Sequence, residues 1–390
     1  MEIGKDYLFV SDMETPNERY FKGTYISVMD GVYTIFTEGK NVEIDQDDLL
    51  LCGEDESEMI YPLGSEEQVA LQKNPHKMEM ILLFAIESKI DAIAEYISDQ
   101  CDLTFMYHYK QGVGTAIEIA LDNRTDFIVR LLLERNAAFS QKSFLKLAIR
   151  KYPLHMFNVS KVKDLSQLFL QHRFREEDDI SQWDVSNVEN MSDMFHESDF
   201  DGDISQWDVS NVKNMMRMFY ASEFNGDISQ WDVSSVEYMS GMFYMSEFNG
   251  DISQWDVSRV KNMSGMFSGS IFQGDLSQWD VSSVKNMNSM FESSIFQGDI
   301  SQWNVSSVFF MHKMFYDSDF DGDLYDWDVS NVKDMRNMFE NSSFQHDISS
   351  WNSFGKKMEH MFTNCQIPEY FKPTYHPLGL RSNIGAGKVF

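Results

Sequence analysis

The sequence predicts an α/β repeat protein, in which a solenoid of short strands and short helices follows a small β module and a set of helical pairs. All eight tryptophans of the 390-residue chain recur at one interval of 24 residues. Paired methionines and an Asn-Gly or Asp-Gly turn signal recur at the same interval. A fixed period of about 20–50 residues is the signature of stacked repeats. The tryptophans are Trp183, Trp207, Trp231, Trp255, Trp279, Trp303, Trp327 and Trp351.

One copy of the repeat, residues 203–219, shows how the apolar residues are spaced. Its first part, residues 204–209, fits the Leu-x-x-Leu-x-Leu spacing of a leucine-rich repeat and predicts a short strand with inward side chains. Its second part, residues 212–219, has apolar residues at intervals of three and four, which predicts a short helical or 3₁₀ segment. Such a unit buries its apolar face only against neighbouring copies.

Methionine supplies much of the inward set of each copy, as in the pair Met215 and Met218. A copper site is one alternative, because thioether sulfurs are soft ligands that select Cu(I). Packing is favoured over it, because flexible thioethers fill gaps against Trp and Phe rings. We therefore expect no cofactor and no metal.

Both ends of the array depart from the consensus. Phe157 occupies the Trp position of a first copy, and residues 173–179 carry two extra residues before the second copy. After Trp351 the pattern loses one residue before Met358. These changes predict capping copies, so that nine copies fill residues 153–365 and residues 366–390 form a C-terminal tail.

The repeat motif resembles a known family. The pattern Asp-Ile-Ser-x-Trp-Asp-Val-Ser-x-Val-x-Asn-Met-x-x-Met-Phe is similar to the BspA-like leucine-rich repeats of bacterial and mycoplasmal surface proteins, which also occur in large DNA viruses. The resemblance covers residues 153–365 and implies a right-handed solenoid used for binding. Surface members carry a secretion signal, whereas residues 1–6 have no basic and apolar leader. We therefore expect a cytoplasmic protein, located in the host cytoplasm or the virion if a virus encodes it.

Residues 76–152 resemble ankyrin repeats. Residues 114–137 contain a Thr-x-Ile-x-x-Ala start and a Leu-Leu-Leu-Glu end, which are similar to the two helices of one ankyrin unit. Two positions depart from that pattern: Ile119 replaces a usual His, and Asn136 replaces a usual Gly. Asn tolerates the left-handed conformation that Gly adopts there. About three helical pairs are expected over residues 76–156.

Residues 1–75 are predicted to form a small β-rich module, a sheet or barrel of SH3-like size. Alternating apolar and polar residues indicate strands at 20–28, 32–36 and 41–44. Residues 29–31 and 38–40 have the composition of hairpin turns.

Composition excludes several classes of function. The chain has 62 acidic and 32 basic residues and a net charge of −30, which argues against binding to a nucleic-acid backbone. No apolar run reaches the roughly 18 residues of a membrane span, so no membrane insertion is expected. Three distant cysteines form neither a disulfide framework nor a zinc pattern. The scattered histidines show no catalytic arrangement, and we expect no enzyme.

The Asp that follows Trp in most copies is the first candidate for partner binding. An exposed row of carboxylates would attract a basic protein partner through its field. Alternatively, each Asp closes a local turn by bonding the backbone beside it. The candidates are Asp184, Asp208, Asp232, Asp256 and Asp280.

Aromatic residues at variable positions of the repeat are the second group of candidates. They are either contact anchors for a partner or padding between copies. The residues are Tyr220, Tyr244, Phe309, Phe310 and Tyr316. Together these features predict a non-enzymatic scaffold that binds a protein partner through its solenoid, with a surface or virion-associated adhesion protein as the alternative. The oligomeric state stays open.

Overall fold

The computed structural model describes residues 6–11, 20–29, 32–37, 40–45, 49–53, 59–60, 82–83, 86, 98, 101–109 and 112–374. The chain forms two compact units. One consists of Met1–Ser140 with Met156–Asn158, and the other of Gln141–His155 with Val159–Phe390. The hairpin residues 30–31 and 38–39, much of 76–100 and the last part of the C-terminal tail lie outside the described residues.

The first unit begins with a six-stranded antiparallel sheet. Its strand order is β4-β3-β2-β1-β5-β6, so each hairpin partner is a sheet neighbour. The three strands expected from the sequence lie within β2, β3 and β4, whereas β1, β5 and β6 were not predicted. The strands are β1 (Asp6–Ser11), β2 (Tyr20–Met29), β3 (Val32–Thr37), β4 (Lys40–Asp45), β5 (Leu49–Gly53) and β6 (Met59–Ile60).

Helices follow the sheet along the chain. A short hairpin of β7 (Tyr107–Tyr109) and β8 (Gly112–Gly114) leads into α1 (Ala116–Asp122) and α2 (Asp126–Glu134). The buried Glu118 carboxylate accepts hydrogen bonds from the backbone N–H groups of Thr115, at 2.9 Å, and of Ser140, at 2.6 Å. It thereby ties the start of α1 to the segment after α2.

The second unit contains α3 (Lys142–Ala148), the repeat array from Val159 onwards and a 3₁₀ turn at Glu369–Phe371. Another 3₁₀ turn spans Leu154–Met156. The loop after α2, in the first unit, turns at Asn136, whose φ of +58° is left-handed. The likeness to ankyrin repeats stays a prediction.

In the second unit, successive copies of the repeat are joined by parallel backbone bridges, which are 24 residues apart except at the two ends of the array. The bridged residues form one column of the repeat, as in Asn190 to Asn214 and Asn262 to Asn286. The N–H of Met191 donates to the carbonyl of Asn214 at 2.9 Å, and the N–H groups of every second residue that follows donate to the next copy in the same way. Each copy therefore satisfies alternate backbone donors of this segment through its neighbour, and the N–H groups of Met194 and Ser198 donate within their own copy.

The local structure within a copy differs from the prediction. The described residues between Met156 and Glu369 contain no helix, although the spacing of residues 212–219 predicted one. This segment forms successive turns with left-handed residues at Arg217 (φ +51°) and Ala221 (φ +47°). A left-handed residue every fourth position interrupts α-helical bonding and turns the N–H groups towards the next copy. The backbone hydrogen bonds between copies are therefore made by this turn segment and not by the Trp-x-Val segment, which was expected to form the strand.

Aromatic and sulfur-containing columns fill the core of the array. The Trp side chains are at most 5% exposed, and each indole N–H donates to a backbone carbonyl of the preceding copy, as Trp255 does to Ile228 at 3.1 Å. Phe rings stack from copy to copy, with Phe219 and Phe243 at 5.8 Å and 4° between planes. The paired methionines are buried as well.

The last copy contains a buried lysine. Lys356 replaces the apolar residue of its column, is 6% exposed, and donates from Nζ to the carbonyls of Val329, Ser330 and Val332 at 2.8–2.9 Å. Burial lowers the pKa of this amine. The ammonium thus satisfies three carbonyls at the end of the array.

Candidate functional site

The row of aspartates that follow Trp, here called the Asp column, closes turns. Asp208 Oδ1 accepts hydrogen bonds from the N–H and the hydroxyl of Ser210, at 3.1 and 2.6 Å. The hydrogen bonds that Ser258 donates hold the pKa of Asp256 below its usual value. Asp184, Asp232 and Asp280 likewise accept the backbone N–H of the serine two residues on. The turn-closing hydrogen bonds are thus present in this column, and its members remain exposed.

Aromatic rings stack along one half-buried column, here called the Tyr column. His196 packs on Tyr220, and Tyr220 on Tyr244, each at a ring distance of 4.4 Å. Burial raises the pKa of Tyr220. Tyr316, in the same column, lies under the Lys313 ammonium at 4.5 Å. The rings thus pack between copies and remain partly exposed.

A groove of about 440 Å³, here called the Tyr groove, lies beside Tyr220 and Tyr244. Gly241 and Gly265, with φ of +63° and +64°, form part of its lining. The equivalent position in neighbouring copies carries a side chain, such as Arg217. The groove therefore exists because two consecutive copies lack a side chain at this position.

Phe309 and Phe310 occupy a different column, on the edge where the copies are bridged. Phe309 lies between two lysines, with Lys285 Nζ at 5.6 Å and Lys333 Nζ at 4.9 Å from its ring centre. Phe310 is 43% exposed. The structure thus brings Tyr220 and Tyr244 together, and it places Phe309 and Phe310 in another group.

The Tyr groove was missed by the sequence reasoning, although a signal for it was present. Glycine stands at the same repeat position in two adjacent copies, at Gly241 and Gly265, and nowhere else in that column. Across the described parts of the chain, no group of three or more His, Cys, Asp or Glu side chains has the arrangement of a metal site. No helix in the same residues has the length and apolar composition to cross a membrane.

Comparison with known proteins identifies one family. A family model described as "Mycoplasma protein of unknown function, DUF285" matches the chain at residues 136–247, 221–317 and 270–370. The overlapping matches extend over residues 136–370, which is more than half of the chain and holds every copy of the repeat. Searches of curated proteins and of solved structures find no match.

Proposed function

The chain belongs to the family described as Mycoplasma protein of unknown function, DUF285, and on this premise we propose that its repeat array is a non-enzymatic scaffold for a protein partner. In this proposal the array is a BspA-like, leucine-rich-repeat-like solenoid. The small β module and the ankyrin-like helices precede it as further parts of the scaffold.

The observation that carries the proposal is the division between buried and exposed columns. The Trp, Val, Met and Phe columns are buried in nearly every copy and scarcely vary. Variation is concentrated in columns that reach the surface, where Tyr220 and Tyr244 border the Tyr groove. Tyrosine beside a concave surface is typical of protein contact sites, because it supplies apolar area together with a polar tip.

We propose that this scaffold acts in the cytoplasm. Among the described residues, Cys365 is a free thiol, as is usual in a reducing compartment. Fractionation of the producing cell tests this location. Recovery of the chain outside the cell or in virus particles would favour the adhesion alternative.

The test of binding is affinity capture with the full-length chain from an extract of the cell that produces it. Replacing Tyr220 and Tyr244 together by Ser should remove the captured partner, because the Tyr groove loses both of its aromatic rings. The matched control is Tyr325→Ser, since Tyr325 is a 48% exposed tyrosine outside the groove. A partner retained equally by both variants would reject the Tyr groove as its binding site. A chain that captures nothing would reject the scaffold.

A further inference from the structure

A second groove on the array, of about 620 Å³, concentrates positive charge on this acidic chain. We call it the basic groove. Three cations and one carboxylate line it, on a protein whose net charge is −30. Serines complete the lining and offer hydroxyl donors. The lining residues are Glu237, Arg259, Lys261, Lys285, Ser282, Ser283 and Ser307.

The repeat stacks the charged residues of this groove directly on one another. The N–H of Lys261 donates to the carbonyl of Glu237, and that of Lys285 to Lys261, each at 2.9 Å. Neighbouring members of such a ladder lie about 5 Å apart. Earlier in the same column Glu189 pairs with lysines of the copies before and after it, at 3.3 and 2.8 Å. From Lys261 onwards the column no longer alternates between basic and acidic residues.

The cations of the basic groove are only partly neutralised. Lys261 pairs with Glu237 at 2.5 Å, and this hydrogen bond lowers the pKa of the Glu237 carboxyl. Within the described residues, neither Arg259 nor Lys285 has a carboxylate within 4.0 Å. Stacked like charges destabilise a ladder. An anionic group bound between these side chains would offset that repulsion.

We propose that the basic groove binds an acidic segment of a protein partner, whose carboxylates accept hydrogen bonds from Lys285 and Arg259. The inference rests on the proposed scaffold function and names the chemistry of one contact. A short peptide fits the groove, which extends over the few copies that contain residues 237–307. At physiological salt the Debye length is about 8 Å, so distant carboxylates of the chain are screened from the bound segment. A long nucleic-acid strand would instead extend beyond the groove, where the acidic residues of the rest of the array would repel it.

The test uses the full-length chain and a fluorescein-labelled poly-glutamate peptide, followed by fluorescence anisotropy. The glutamate peptide should bind, and a poly-glutamine peptide of the same length should not. Lys285→Ser and Arg259→Ser should each weaken binding about tenfold, the loss expected for one charge-assisted hydrogen bond. Serine is the matched replacement, since neighbouring copies carry it at the position of Arg259. Both side chains are exposed, so the variants should keep the circular dichroism spectrum of the original chain.

Lys213→Ser is the control, because Lys213 belongs to the same column but lies outside the groove and pairs with Glu189 at 2.8 Å. Equal weakening by Lys213→Ser would show diffuse charge attraction and overturn the proposal. Absence of glutamate-peptide binding, or tighter binding of a poly-dT oligonucleotide, would also overturn it. The peptide-binding results concern the basic groove alone. Capture of a partner that depends on Tyr244 is a separate measurement, so the scaffold proposal can stand even if the basic-groove proposal fails.

Discussion

Replacing Trp255 by Phe should measure what one bond between copies contributes. The indole N–H of Trp255 donates to the carbonyl of Ile228 at 3.1 Å, in a side chain that is 4% exposed. That carbonyl also accepts the N–H of Trp231 at 3.2 Å, so it keeps one partner and the loss is about 1 kcal/mol. Two ring carbons also leave the core, at about 0.8 kcal/mol each. The unfolding free energy should therefore fall by roughly 2–3 kcal/mol.

Urea unfolding followed by both circular dichroism and fluorescence measures this change, provided that the two transitions coincide. Benzothienylalanine at position 255 is the matched control, because sulfur replaces the N–H and the ring keeps nearly the same shape. It should cost only the hydrogen-bond part, about 1 kcal/mol. A cost below about 0.5 kcal/mol for Trp255→Phe would refute the reasoning that this bond and its packing hold adjacent copies together.

Substitutions at three further positions test other parts of the array by the same unfolding measurement. Asp256→Asn should change stability at neutral pH by less than about 0.5 kcal/mol, because Asn304 already closes the same turn, whereas Asp256→Ala should cost about 1 kcal/mol. Since the folded pKa of Asp256 is lowered, its ionised form stabilises the fold above the unfolded pKa. The extra stability that Asp256 provides over Asn should therefore disappear as the pH falls through the folded-state pKa of Asp256. Ser289→Gly should stabilise by about 0.5–1 kcal/mol, because Ser289 has a φ of +56°; a loss would contradict the left-handed turn. Lys356→Met should cost about 2 kcal/mol by leaving the carbonyls of Ser330 and Val332 without their donor, whereas the Val329 carbonyl keeps the N–H of Val332; an unchanged midpoint would show that the last copy needs no ammonium.

The period and the buried columns could be predicted from the sequence because both follow from the regular spacing of its apolar residues. Trp207, Met215 and Phe219 recur unchanged from copy to copy, and apolar residues that cannot be buried within one unit must meet their equivalents in the next. The indole hydrogen bonds were not foreseen, since nothing in the sequence says which carbonyl lies beside Trp207.

The local conformation could not be predicted, because intervals of three and four suit both a helix and a series of turns closed between residues i and i+3. What decides between them is the left-handed backbone at Arg217, Gly241 and Ser289. Only one of these three residues is a glycine, so composition gives no consistent signal. The two grooves escaped prediction for a related reason. Each groove depends on which columns of the repeat lie side by side on the surface, and the conformation of the turns determines this arrangement.

Photo-crosslinking tests most directly the claim that the array binds a protein partner at the Tyr groove. Benzoylphenylalanine would replace Tyr244 in one full-length variant and the exposed Tyr325 in another, which preserves an aromatic ring at each position. After irradiation with the captured partner, position 244 should form the crosslink and position 325 should not. Crosslinks at position 325 alone, or equal yields at the two positions, would contradict the account.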